Sequence, residues 1–426
     1  MIISVRIKSF FVTLSGQVEF SFKMNRYILI LLALALSCSS GRGSANIGRP
    51  DLGEIPQRVF SVAAFQFEIL ERGAQDNTAP RTTQDGDEAV YSDIGWWCSG
   101  FFPGSLWLTY RFSGDTTMRN LAEKHTHKLF RLIGMDTDHD IGFQIMSSFG
   151  NGYRLTGDIS YPSTIQSAAR KLAGRYSPNT GTIRSWNGDR WKYPVIIDNM
   201  MNLELLMAGA RMMGGDEGRS LREVAVNHAK TTLKNHFRDD WSTYHLVDYD
   251  PSDGHVLRKM TVQGYADTSR WARGQAWALY GYTMMARECF FDQMGEDAAL
   301  FLDAAENIAG MLLGILPEDG IPFWDFDGPS IPDALKDASA GAIMASAFAE
   351  LSTLTRNKSL AKDCQDMAVT QVKTLSSPEY LAHPGTNGGF LLKHSVGNIP
   401  GGTEVDVPLS YADYYFLEAI LRLIGK

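Results

Sequence analysis

Two aspartates stand where apolar helices must begin. Asp140 lies in His139-Asp140-Ile141-Gly142-Phe143, and Asp198 in Ile196-Ile197-Asp198-Asn199-Met200-Met201-Asn202. An aspartate at a helix start is commonly an N-cap, its side chain accepting a backbone N–H. Here the flanking residues are apolar, and both positions fall at equivalent places in a recurring segment. Two carboxyls held near one another in a dry site tend to keep one proton, which supplies a general acid near neutral pH. A third cluster runs Gln263-Gly264-Tyr265-Ala266-Asp267, then Trp271-Ala272-Arg273-Gly274-Gln275-Ala276-Trp277. Arg273 and Trp277 are four apart and share a helix face. An arginine between two tryptophans suits a ligand carboxylate or hydroxyls over an aromatic platform, and an ion pair with Asp267 is its plainer role. His245 is a candidate donor to a ligand oxygen, or an ordinary packing histidine.

Other chemistries lack their residues. The chain has no Gly-rich phosphate loop, no HExxH and no nucleophile-elbow serine. Cys98, Cys289 and Cys364 show no metal-ligand spacing, and their odd number argues against a disulfide framework. A net charge of −8 argues against a broad basic surface for nucleic acid, though one or two pocket arginines suffice for a small anion. Several of the nine Trp stand beside polar residues, a palette that fits the flat apolar faces and hydroxyl edges of sugars. Carboxylates at helix starts are the usual equipment of glycosidic chemistry.

The elements that must position these residues form a sixfold pattern. A polar or aromatic entry followed by a helix rich in Gly, Ala, Met and aromatics recurs at Trp97–Gly114, Asp140–Asp158 and Asp198–Asp216. It returns at Trp271–Arg287, Ser339–Leu354 and Tyr411–Lys426. Helices so apolar on all faces must be buried all round. Between them lie amphipathic segments at Arg58–Arg72, Thr117–Ile133, Thr164–Tyr176, Leu221–Phe237, Ala298–Leu316 and Leu360–Leu375. Six such pairs close an all-α (α/α)6 barrel over residues 51–426, with the entry residues gathered at one mouth. Alternating residues in Tyr244–Tyr249 and His255–Val262, around Pro251-Ser252-Asp253-Gly254, predict a β-hairpin in a loop.

The N-terminal region carries no part of this pattern. Met24-Asn25-Arg26 and the apolar run Tyr27–Leu36 read as an export signal, with Cys38 as a lipidation site after cleavage. Residues 1–23 read as an upstream extension, residues 24–38 as the signal, and residues 39–50 as a flexible linker. The expected location is the periplasm or a lipid tether on the outer membrane of a bacterium; plain secretion is the alternative.

The ordered motifs HDIGF, DNMMNLELL, QGYADTSRWARGQAWALYG and DVPLSYADYYFLEA resemble glycoside hydrolase family 88, the unsaturated glucuronyl hydrolases, from about Trp97 to the C-terminus. The resemblance implies an (α/α)6 barrel, Asp198 as general acid and base, and Asp140 as the group that binds and orients an unsaturated sugar. It places His245, Gln263, Trp271, Arg273 and Trp277 along the subsite for that sugar, with Trp97 at its edge. It implies no metal or organic cofactor. The implied substrate is an oligosaccharide whose terminal uronic acid carries a C4=C5 double bond left by a lyase. Lys393, in GGFLLKHSVGNIP, falls where the family varies around the adjoining sugar, and is a candidate sulfate contact favouring glycosaminoglycan disaccharides; a solvated loop lysine is its plainer role. Rival readings are an unsaturated rhamnogalacturonyl hydrolase acting on pectin fragments, a sugar epimerase on the same barrel, and a non-catalytic glycan-binding lipoprotein. An epimerase would need histidine pairs at the helix starts, where this chain offers Asp; a binding protein has no need of two buried aspartates.

Overall fold

The alternation of apolar and amphipathic segments becomes six pairs of helices in the computed structural model, which describes residues 47–84 and 87–426. The export-like segment and Cys38 lie outside the described residues. The pairs are α1 (Ile55–Gly73) with α2 (Phe101–Ser113), α3 (Thr116–Lys128) with α4 (residues 141–156), and α5 (Tyr161–Ala173) with α6 (Leu203–Met213). There follow α7 (Gly215–His236) with α8 (Ala272–Phe291), α9 (Gly295–Ile315) with α10 (Ala338–Leu354), and α11 (Lys358–Leu375) with α12 (Ser410–Ile424). The even-numbered helices form a ring in which each touches the next and α12 returns to α2. This is the (α/α)6 barrel expected from the repeat.

Burial follows the pattern that predicted it. Every residue of α8 from Ala272 to Ala286 is buried, as is every residue of α10 from Ala338 to Ala349. Outer helix α1 buries Val59, Phe60, Ala63, Phe67 and Leu70, a three-and-four spacing that turns one stripe inward. Glycines end the inner helices α2, α4 and α12: Gly114, Gly157 and Gly425 adopt φ of 73°, 66° and 70°, left-handed values that cost a side-chain-bearing residue more. One departure from a regular helix occurs in α4, where Met146–Gly150 widens into a π turn.

Four small sheets sit in the loops of the described residues, the smallest pairing β3 (Tyr176–Ser177) with β4 (Thr182–Ile183). The predicted hairpin is β6 (Leu246–Tyr249) with β7 (Val256–Met260), and β5 (Pro194–Ile196) adds a third strand beside β6. This third strand runs into the helical turn that carries Asp198, and so ties that turn to His245. Two further hairpins flank the same barrel end: β1 (Thr78–Gln84) with β2 (Glu88–Asp93), and β8 (Ser395–Asn398) with β9 (Thr403–Val407).

Candidate active site

The inner helices all start at the same barrel end, and their starts enclose a cavity of about 380 Å³. Trp97, Asp140, Asp198, His245, Gln263 and Arg273 line it together. Residues from five separate stretches of chain thus meet, as the entry positions of a closed barrel must.

Neither aspartate acts as a helix cap. Asp140 precedes α4 without a capping hydrogen bond from its side chain, and the turn Ile197–Asn202 that holds Asp198 likewise has none. For α4 the capping role passes to Asn202, whose Oδ1 accepts the Phe143 N–H at 2.7 Å. The closeness this needs is possible because residue 142 is glycine: a Cβ there would stand 2.4 Å from Asn202 Oδ1. With its oxygen fixed on a donor, the Asn202 amide turns its NH2 to His139 Nδ1, 3.2 Å away. The His139 proton is thereby placed on Nε2, which faces Asp140 Oδ1 at 3.6 Å.

The second aspartate has the same arrangement. His245 Nδ1 accepts the backbone N–H groups of Val262 and Gln263 at 3.2 and 3.3 Å, which puts its proton on Nε2, 3.8 Å from Asp198 Oδ2. Burial pushes both imidazoles down to about 3, with nearby arginines adding to the effect, so each meets its carboxyl as a neutral N–H donor. Two Asp–His pairs related by the barrel repeat therefore face one cavity.

The carboxyls are held protonated to differing degrees. Burial pushes Asp198 up to about 7, against the Arg273 charge and the Trp277 indole, which pull it down. Asp198 Oδ2 and Trp277 Nε1 are both buried without a hydrogen-bond partner, an unusual state for polar atoms, while the Asp198 side chain keeps a 14% exposed edge on the cavity. Asp140 is raised well above the usual carboxylate range by burial first, then by the negative charges of Asp138 and Asp198. The pair can hold a transferable proton near neutral pH and offer it to a bound group.

Arg273 is almost wholly committed to protein. It donates to the carbonyls of Val396 and Gly397 on β8, lies 3.4 Å from Asp337 Oδ2 and 3.4 Å from Gln263 Oε1, and stacks over Trp271 at 4.5 Å. Its acidic partner is Asp337, on the start of α10, and not Asp267, which instead accepts the Thr261 N–H. Trp271 and Trp277 stand behind the cavity wall: Trp271 stacks on His245 at 4.3 Å, and Trp277 packs against Phe143 at 5.1 Å. Lys393 is outside the lining, its Nζ donating to the Pro378 carbonyl at 2.9 Å. That contact with the Pro378 carbonyl is one that spacing along the sequence does not reveal.

The structure adds lining residues beyond those predicted. Arg81 of β1 pairs with Glu404 of β9 at 2.6 Å and lies over Trp96 at 4.4 Å. Asn398, Thr403, Trp186 and Tyr411 complete that side of the wall. His139, Phe143, Ile196, Val262, Asn398 and Tyr411 could have been found beforehand, since they lie inside stretches already singled out.

The chain matches no family-wide sequence model. Among individual proteins, it is 42% identical to an unsaturated glucuronyl hydrolase of Formosa agariphila over 403 residues, 93% of this chain and 97% of that one. An unsaturated glucuronyl hydrolase of a Bacillus species is 33% identical over 81% of this chain and 90% of its own length. A crystal structure of an unsaturated glucuronyl hydrolase specific for heparin superposes with a TM-score of 0.82 at 39% identity, covering 88% of this chain and 98% of the other. Likeness at this level runs through the barrel and the mouth alike, and the chain belongs to the unsaturated glucuronyl hydrolases of glycoside hydrolase family 88.

Proposed function

We propose that this glycoside hydrolase releases a 4,5-unsaturated uronic acid from the non-reducing end of lyase-generated glycosaminoglycan disaccharides, with Asp198 as its proton donor. The observation that carries this reading is the Asp198 carboxyl on the cavity wall, backed by His245 Nε2 at 3.8 Å and raised by burial to about 7. Relatives named as unsaturated chondroitin disaccharide hydrolases, and the heparin-specific neighbour, support the substrate class.

The unsaturated ring is a vinyl ether, with O5 on one end of the C4=C5 bond. Asp198 gives its proton to C4, and the positive charge that develops is shared between C5 and O5. Water adds to C5 and its proton passes to the Asp198 carboxylate, which restores the acid. The product is a hemiketal at C5. Its C5–O5 bond breaks to leave a C5 ketone and a hemiacetal at C1, and the hemiacetal expels the second sugar as an alcohol. The anomeric carbon is never attacked, so carboxylate separation carries no information about stereochemistry here. Neutral Asp140 and the Nε2–H groups of His139 and His245 orient the ring without placing a fixed negative charge against its carboxylate. Gln263 and Trp97 complete the pocket wall for the same ring.

Loss of near-ultraviolet absorbance from the conjugated uronate tests the proposal. Wild type should consume the chromophore of chondroitin and heparin disaccharides, and Asp198→Asn should be slower by between about a hundredfold and ten-thousandfold. Equal rates in the two proteins would remove Asp198 from its role. Pectin-derived unsaturated disaccharides run alongside distinguish the rhamnogalacturonyl alternative. Retained sugar binding without turnover would favour a glycan-binding protein instead.

The chain is also proposed to act after export, tethered by lipid at Cys38. The support is the apolar run Tyr27–Leu36 followed by Ser37-Cys38. Metabolic labelling with a radioactive fatty acid should mark the wild type and leave Cys38→Ser unmarked.

A further inference from the structure

We propose that Trp191 and Arg190 form an outer subsite that binds an anionic third sugar of substrates longer than a disaccharide; the idea rests on the hydrolase reading above. At about 380 Å³ the cavity is near the small end of the range for ligand sites, so further units of a longer chain must lie against its rim. One stretch of rim is built for this. Trp186 lines the cavity, and Trp191 packs edge to face on it with ring centroids 5.5 Å apart. The Arg190 guanidinium lies over the Trp191 ring at 4.5 Å. Aromatic surface thus continues from the cavity wall to the outside and ends under a positive charge.

The charges around this platform single out Arg190. Lys192 is paired with Asp250 at 2.8 Å, and Arg258 with Asp248 at 3.3 Å. Arg190 is exposed and makes no ion pair among the described residues. A guanidinium resting over an indole face can keep N–H groups free, and their fork matches a carboxylate or sulfate in two parallel hydrogen bonds.

The platform is also fixed in place. Trp191 Nε1 donates to Met260 Sδ at 3.2 Å, and Arg258 donates to the Arg190 carbonyl at 2.9 Å. Ser185, at the inner end of the same loop, accepts the His139 N–H through its carbonyl at 3.1 Å. A loop bound to β7 on one side and to the catalytic end of α4 on the other loses little freedom when a sugar settles on it, which favours binding.

The test compares kcat/KM for di- and tetrasaccharides of heparin and of hyaluronan. The hyaluronan fragment offers only a uronate at the third position, whereas the heparin fragment offers a uronate with sulfates. Arg190→Ala should lower the tetrasaccharide-to-disaccharide ratio by about five- to tenfold, entirely through KM, with disaccharide turnover unchanged. Trp191→Phe should keep part of the preference, because a smaller ring still stacks. A loss confined to heparin assigns Arg190 to sulfate, and a loss on both polymers assigns it to the uronate. An unchanged ratio in Arg190→Ala on both polymers overturns the outer subsite while leaving the disaccharide reaction standing. If wild type consumes no disaccharide at all, the hydrolase reading has failed and not the subsite.

Discussion

The two Asp–His pairs set what a titration of this enzyme should show. Asp198 must carry its proton to act on C4, so activity should be full below the value near 7 to which burial raises it and fall about tenfold for each pH unit above it. The Arg273 charge opposes that rise, so Arg273→Gln should move the alkaline limb to higher pH in a kcat–pH profile. The same variant leaves Asp337 buried without its cation and should melt earlier. Stability responds to pH in a defined direction. The folded state keeps the Asp198 proton through a window from about 4 to about 7 in which the unfolded chain has released it, so the native state loses relative stability as pH rises through that window. Asp198→Asn has no proton to lose. It should therefore gain on wild type between pH 5 and pH 8 by on the order of 2 kcal/mol, the opening of the carboxyl to the cavity reducing the full effect. Chemical denaturation at the two pH values checks this, and a constant gap would show that Asp198 ionises normally in the fold. The identities of both aspartates were legible in the sequence. Their shared cavity and the tautomers opposite them were not, because those depend on the amide of Asn202 and the backbone of residues 262 and 263.

At the scale of elements, the junction of α4 with the turn Ile197–Asn202 decides whether the two carboxyls meet. Gly142→Ala would drive a methyl against Asn202, whose Cα stands 2.5 Å from the added carbon as well as its Oδ1 at 2.4 Å, so both backbones would have to separate. Expected are a lower melting temperature and a loss of activity of at least tenfold. Asn202→Ala, which removes the same link without overcrowding, should also lower kcat. If Gly142→Ala is destabilised but turns over normally, the junction is structural only. The helices themselves were readable because their burial repeats over neighbouring residues: three-and-four spacing in α1, and runs dominated by small, apolar and aromatic residues in α8 and α10. The hairpins β1–β2 and β8–β9 were not read, since short strands carry little periodicity. Arg81 and Glu404 reach the cavity mouth only through them. Lys393 illustrates the same limit, for a loop position says nothing about which way its side chain leaves the chain.

Across the whole molecule, parallel inner helices separate chemistry from cohesion. Arg273 near the start of α8 faces the cavity, whereas Arg287, fourteen residues and so about 21 Å further along, joins a part-buried ion network at the other barrel end. There Arg287 meets Glu204 at 2.9 Å and Glu350 at 2.6 Å, and Arg422 meets Glu350 at 3.0 Å and Glu418 at 3.5 Å. Burial pushes the Glu350 carboxyl up, but Arg287 and Arg422 outweigh it and hold the group below its usual range. Glu350→Ala takes one carboxylate from each of the two arginines, which keep Glu204 and Glu418, and should lower stability by about 1–3 kcal/mol. Turnover measured well below the melting point should be unchanged, and altered kcat would mean that the two barrel ends are coupled. The amino-acid sequence by itself determined the helical class, the sixfold pairing and the two aspartates, because amphipathic spacing and apolar entry motifs are local properties of a chain. Only the tertiary structure decided which carboxyl keeps an unpartnered oxygen, that Arg273 is spent on Asp337 and on β8, and that Lys393 reaches the Pro378 carbonyl. Those outcomes depend on groups from 15 to 124 residues apart competing for the same donors, acceptors and low-dielectric space, a competition that exists only once the barrel has closed.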